Sequence, residues 1–170
     1  MKLNQEAIDN ARNCNLKEGA VTASVEPYAK EICTLLNQAL ATEWVCVLRY
    51  RRHYFTAKGI TSEAIVDEFM VHAEEEMAHA DRLAERIGQL GGLPELNPAK
   101  LTELSHADYD DSTDLQAMIR ANLIAERVAV ETYRQMISLI GDKDPTTTRM
   151  LEDILADEEE HADELSDWLV

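Results

Sequence analysis

The chain has 170 residues, 45% hydrophobic and 29% charged, with 33 acidic against 16 basic side chains and a net charge of −17. That length suits one domain with a single core, and six Gly and four Pro are too few for a turn-rich β fold. The acidic surface excludes nucleic acid and anionic membranes as partners by repulsion and favours cations, while Cys14, Cys33 and Cys46 form no C-x-x-C, which excludes a disulfide framework or zinc knuckle.

Residues 1–25 show weak periodicity and balanced charge and are expected to be an N-terminal extension, with room for one short helix. Their start, MKLNQEAIDNARNC, has no apolar core like a signal peptide. No later stretch approaches the length of a membrane span, so a cytoplasmic location is expected.

Residues 26–170 read as one all-α domain of four long helices. The first spans about 26–58, with Pro27 at its start and Gly59 as its stop. Its inner stripe is Leu36, Leu40, Glu43, Val47, Tyr50 and Tyr54. Cys33 and Cys46 on this helix read as small buried apolar residues. The second helix spans about 62–90, from Ser62 to a stop at Gly91-Gly92, with Ile65, Phe69, His72, Glu76, His79, Leu83, Ile87 and Leu90 inward. Residues 93–112 form a long connection with a short helix near 98–105. The third helix spans about 113–140, with Ile119, Leu123, Glu126, Val130, Tyr133 and Ile137 inward. The fourth is capped by Asp144, opens with Pro145 and turns Leu151, Leu155, Glu158, His161 and Leu165 inward. Two tight hairpins joined by one long link predict a four-helix bundle with a single crossover.

Glu-x-x-His occurs twice on apolar stripes, at Glu76/His79 and Glu158/His161. Residues three apart share a helix face, so each pair converges. The other two helices each place one carboxylate, Glu43 and Glu126, on the same kind of stripe. The spacings nearly repeat: 76 − 43 = 33 and 158 − 126 = 32. A third copy, Glu103/His106, lies in the crossover without an apolar frame and reads as chance. Glu74, Glu75, Glu159 and Glu160 read as solvated, and His72 as a hydrogen-bonded core histidine. Four buried carboxylates are expensive without countercharge, whereas two divalent metals balance four carboxylates and two neutral imidazoles. Mixed oxygen and nitrogen donors without thiolate suit iron or manganese.

At EEEMAHADRLAERIGQLGGLPEL and DEEEHADEL, with Glu43 and Glu126, the chain resembles the bacterioferritins over roughly residues 28–168. The resemblance implies a ferritin-like bundle and a ferroxidase that oxidises Fe(II) with O₂ or H₂O₂ and stores Fe(III) in a hollow homo-oligomeric shell. It implies that Glu43 and His79 hold one iron, Glu126 and His161 the second, and that Glu76 and Glu158 bridge them, with Tyr50 beside the centre. It further implies a haem shared by two subunits through Met77, with Trp44, Val47, Leu48, Arg51 and Met70 lining its pocket, and a ferredoxin-type reductant. Only nine residues follow His161, so the fifth helix of typical bacterioferritins is not expected. That absence, the N-terminal extension and the longer crossover resemble 12-subunit Dps proteins, and favour a 12-mer over a 24-mer. The rivals are a DNA-binding Dps protein, a non-storing di-iron enzyme such as a rubrerythrin-like peroxidase or manganese catalase, and a haem-carrying electron-transfer shell. The acidic charge opposes the first, and the missing C-x-x-C pairs oppose a rubrerythrin.

Overall fold

The computed structural model describes residues 2–13, 17, 19–57 and 63–169. Among these residues six α-helices run in order: α1 Gln5–Asn13, α2 Glu26–Thr56, α3 Glu63–Gln89, α4 Pro98–Leu104, α5 Leu115–Ile140 and α6 Pro145–Asp167. No strand occurs among the described residues. The expected stop at Gly59 and start at Ser62 lie outside them, as do Lys58 and Cys14. The short helix α1 falls in the expected N-terminal extension and is mostly exposed.

Helices α2 and α3 form one antiparallel hairpin, α5 and α6 the other, and α4 sits in the crossover between them. Sequence chemistry sets the ends. Pro27 occupies the first turn of α2, where its missing N–H has no helical partner to lose. Asp114 caps α5 by accepting from Ala117 N at 2.9 Å, which moves the helix start from the expected residue 113 to Leu115. Asp144 caps α6, and its two carboxylate oxygens also accept from Arg86 Nη2 at 2.9 and 2.8 Å, tying α3 to the second hairpin. After α3, Gly91 adopts φ 78°, and Gly92 passes so close to α2 that a Cβ there would lie 2.7 Å from Cys33 Sγ. Cys33 and Cys46 are both free and buried, as expected.

The inner stripes of α2 and α3 follow the sequence reading, with Leu36, Leu40, Phe69, Leu83 and Ile87 in the core. The stripe of α5 is partly rotated from expectation, with Ile119, Glu126 and Tyr133 still buried, and on α6 Leu151, Glu158, His161 and Leu165 are buried as expected. Asn122, Ala125, Ala129, Met136 and Ile154 are buried, while Leu123, Val130, Ile137 and Leu155 are only half-buried. The small side chains Ala125 and Ala129 let α5 approach closely. Ala125 packs with Cys46 of α2 and Ala107 of the crossover.

The crossover also covers the far side of α2. Leu101 and Leu104 of α4 pack on Ala41, Val45 and Trp44. Arg49 is wholly buried beneath it, donating from Nε to Asn122 Oδ1 at 2.7 Å and from Nη1 to Asp108 O at 3.2 Å. Asn122 Nδ2 in turn lies 3.1 Å from His53 Nδ1, and His53 Nε2 lies 3.0 Å from Asp110 Oδ2. This polar chain fastens the returning segment to α2 and α5.

Candidate metal centre

The two Glu-x-x-His pairs face each other across the middle of the bundle, from α3 and α6. Glu43 of α2 and Glu126 of α5 close the other two sides. All six side chains are buried. Ligand atoms of Glu43, Glu76, His79 and Glu158 lie within 4.8 Å of one another, and so do those of Glu76, Glu126, Glu158 and His161. The tetrads share Glu76 and Glu158, so these groups could hold two metal ions with two carboxylates between them.

The hydrogen bonds around the six obey a pseudo-twofold symmetry between the hairpins. Tyr50, seven residues after Glu43, donates to Glu126 Oε1. Tyr133, seven residues after Glu126, donates to Glu43 Oε1. Asp157, next to Glu158 on α6, lies 3.1 Å from His79 Nε2 on α3. Glu75, next to Glu76 on α3, lies 2.9 Å from His161 Nε2 on α6. Every orienting contact therefore crosses from one hairpin to the other. Because a carboxylate can only accept, each histidine places its Nε2–H outward and its Nδ1 toward the centre.

What remains inside is a set of buried acceptors without partners: Glu43 Oε2, both oxygens of Glu76, Glu126 Oε2, Glu158 Oε2 and His161 Nδ1. His79 Nδ1 lies 3.1, 3.5 and 3.6 Å from Glu158, Glu76 and Glu43. Burial, with repulsion from Glu43 second, raises the pKa of Glu76 to about 8. Burial and the neighbouring Glu76 and Glu43 raise that of Glu158 as well. Burial lowers the pKa of His79, but the closely approaching carboxylates of Glu158, Glu43 and Glu76 outweigh this and raise it on balance. Burial pushes both tyrosines up, reinforced by their glutamates, so the phenols stay protonated donors. The centre retains protons where a metal cation would otherwise supply positive charge.

Sequence reasoning located the six residues and Tyr50, but gave Tyr133 no role beyond the core. The repeated seven-residue spacing was the available signal. It also read Glu75 as merely solvated. That side chain is half exposed, yet one oxygen is turned to His161. Glu74 and Glu160 are exposed as expected, and Glu159 pairs with Arg134 at the surface. Glu103 and His106 are exposed and α4 ends between them, so they share no helix face. His72 is a buried, hydrogen-bonded histidine, with Nδ1 3.1 Å from the Tyr50 hydroxyl. Burial and the neighbouring His161 lower its pKa to about 4.

Of the residues expected on an outer face, Met70, Met77, Trp44 and Arg51 are half-buried and Leu48 is 50% exposed. Val47 departs from that expectation. It is 2% exposed, on the inner stripe between Glu43 and Tyr50, and cannot line an outer pocket.

A one-crossover bundle enclosing two facing Glu-x-x-His pairs is the build of a dinuclear carboxylate protein. Residues 33–170 match the ferritin family, described as a ferritin-like domain, and the chain belongs to that family. A nutrient stress-induced DNA-binding protein of Synechococcus sp. is 31% identical over 144 residues, covering 82% of this chain and 81% of the relative. The bacterioferritin of Mycobacterium avium is 29% identical over 140 residues, covering 82% and 84%. Among solved structures, a dodecameric thioferritin, the bacterioferritin-related protein of Bacteroides fragilis, superposes with a TM-score of 0.80 at 36% identity, covering 83% of this chain and 85% of that one. Dps of Vibrio cholerae shares the fold at a TM-score of 0.81 and 20% identity, covering 85% and 92%.

Proposed function

We propose that the chain is an iron-storage and detoxification ferroxidase. Fe(II), the substrate, binds with Glu43 and His79 at one position and Glu126 and His161 at the other, bridged by Glu76 and Glu158. O₂ or H₂O₂ accepts the electrons, and Fe(III) passes into the interior of a 12-subunit shell. The observation that carries this reading is the ring of buried, unpartnered carboxylate oxygens and His161 Nδ1 at the centre. Unmatched charge of that density is too costly to retain for packing. The tyrosines hold the outer oxygen of Glu43 and Glu126, while Asp157 and Glu75 hold the imidazoles. The ligand set is thereby pre-oriented before iron arrives. The dodecameric state of the Bacteroides fragilis relative supports the shell size.

Aerobic loading of metal-free protein with rising Fe(II) tests the reading. Oxidation should continue well past two irons per chain, and the iron should stay soluble with a large particle. Fast oxidation that stops near two, with excess iron precipitating, would identify a non-storing di-iron enzyme instead.

A haem shared by two copies is part of the same proposal. Met77 adjoins Glu76 but lies half-buried on the outer face. Leu48 is exposed and Arg51 half-buried, while Trp44 and Met70 are half-buried and pack in part against the core, and the Met77 thioether is a donor that fits a porphyrin iron. Bound there, haem would supply electron transfer to or from the stored iron. Met77→Leu should abolish haem binding, and unchanged haem content would sink the assignment.

The Synechococcus relative's name favours a second reading, DNA binding. The net charge of −17 opposes it, because phosphate contacts require cationic side chains. No retarded band is expected in a gel shift at low salt.

A further inference from the structure

The pseudo-twofold symmetry of the bundle offers an internal comparison for every polar side chain near the centre. Between α2 and α5 the offset is 126 − 43 = 83 residues, and 133 − 50 gives the same 83. By that offset Arg49, Asn122 and His53, the polar chain beneath the crossover, correspond to Thr132, Ala39 and Met136. Ala39 and Met136 are buried in the apolar core, and Thr132 is half-buried. The matching half therefore packs this depth without a buried charge, so the fold does not itself require Arg49.

Hydrogen bonding does not account for Arg49 either. Asp110 can only accept, so His53 donates from Nε2 and accepts at Nδ1 from Asn122 Nδ2, which turns Asn122 Oδ1 to Arg49 Nε. Arg49 Nη1 donates to Asp108 O, but Nη2, equally buried, has no partner. A bare buried donor is costly to keep. Burial lowers the pKa of Arg49, yet the neighbouring Cys46, Glu126, Tyr50 and Glu76 raise it on balance, and the guanidinium stays charged.

That charge lies to one side of the centre. Its acceptor Asn122 precedes Glu126 by one helical turn. Its guanidinium carbon is 5.5 Å from the centroid of the Tyr50 ring, whose hydroxyl donates to Glu126. On the Glu43 side the corresponding residue is the neutral Thr132, next to Tyr133. Glu164 also stands on the Glu126 side, against His72, but it is partly exposed and its charge is screened more than that of a wholly buried guanidinium.

We propose that Arg49 is a positioning residue that makes the two metal positions unequal: its charge opposes a cation between Glu126 and His161 and leaves the position between Glu43 and His79 to fill first. The proposal rests on the ferroxidase reading and gives Fe(II) loading a fixed order. Glu76 and Glu158 belong to both ligand groups, so the first ion takes both bridging carboxylates and the second enters beside Arg49. A unit charge a few ångströms closer to one divalent ion than to the other changes their relative affinity by on the order of tenfold at the effective dielectric of a protein interior.

The test is equilibrium titration of metal-free wild type, R49M and R49K with Co(II), read by visible absorption, with cobalt anomalous diffraction from crystals grown with one Co(II) per chain. R49M keeps bulk and loses the charge, whereas R49K keeps the charge and loses the planar fork that meets Asn122 and Asp108 O. Wild type should bind two Co(II) in steps on the order of tenfold apart, with the stronger anomalous peak between Glu43 and His79. R49M should tighten the second step by on the order of tenfold and even out the peaks, and R49K should follow wild type. Equal peaks in wild type, or a stronger peak between Glu126 and His161, overturn the role of Arg49 while leaving the dinuclear reading intact, and this result depends on no variant. R49K matching R49M also overturns it, because a merely structural role would move both alike. Cobalt at neither position in wild type overturns the dinuclear reading and the role of Arg49 with it.

Discussion

In metal-free protein, raising the pH should destabilise the fold by a route that one substitution blocks. Glu76 has no hydrogen-bond partner on either oxygen, and burial with repulsion from Glu43 raises its pKa from an ordinary 4.5 to about 8. A carboxyl raised in the folded state binds its proton more tightly there than when unfolded. The associated stability is fully present below pH 4.5 and is lost as the pH climbs toward 8. At about 1.4 kcal/mol per pKa unit, the loss between those limits is on the order of 4 kcal/mol. Glu158 shifts in the same direction and adds to it. At 2–4 °C per kcal/mol for a chain of this size, the thermal midpoint should fall by on the order of 10 °C. The assay is thermal unfolding of metal-free wild type and Glu76→Gln between pH 5 and 8, followed by circular dichroism. Wild type should fall steeply, the variant much less, and two equivalents of Co(II) at pH 8 should restore the wild-type midpoint. A flat or rising wild-type profile, or a variant as steep as wild type, would refute the account of a centre held short of positive charge.

Three further sets of substitutions examine other parts of the structure. Asp157→Asn and Glu75→Gln should each weaken Co(II) binding at the centre by about 10–100-fold, measured by equilibrium titration, because each removes the carboxylate that orients a histidine. Tyr50→Phe and Tyr133→Phe should each lower the stability of metal-free protein by about 1–3 kcal/mol in denaturant titrations, since each leaves a buried carboxylate oxygen bare. Gly92→Ala should cost about 1–3 kcal/mol through the clash with Cys33 Sγ, and Cys33→Ala in the same chain should recover part of it.

The helices and the six central residues were legible because they follow a single period. A glutamate or histidine on an otherwise apolar stripe is visible at a glance, and the near-equal spacings of Glu43/Glu76 and Glu126/Glu158 set the two halves side by side. The orienting contacts were harder to read because they run between helices, and periodicity along one helix says nothing about which neighbour a side chain meets. Glu75 and Asp157 look like members of a solvated acidic run until the opposite histidine is placed against them. The rotation of α5 has a related origin. Leu123 and Val130 are better apolar residues than Ala125 and Ala129, but close approach to α2 selects the smaller pair. The burial of Arg49 cannot be read along its helix, because its charge argues for solvent. Its partners, Asn122 and Asp108 O, come from segments about 60 to 70 residues away along the chain.

The crossed contacts between hairpins have a consequence for assembly of the fold itself. Tyr50, Tyr133, Glu75 and Asp157 each satisfy a group on the opposite hairpin. If the hairpins docked one helical turn out of step, a slip of about 5.4 Å, all four would lose their acceptors or donors together. Apolar side chains tolerate such a slip far better, because one leucine packs much like another. The polar centre thus acts as a keyed joint that rejects near-miss alignments, and accurate pairing of the two halves is enforced by the same side chains that orient the central carboxylates and histidines.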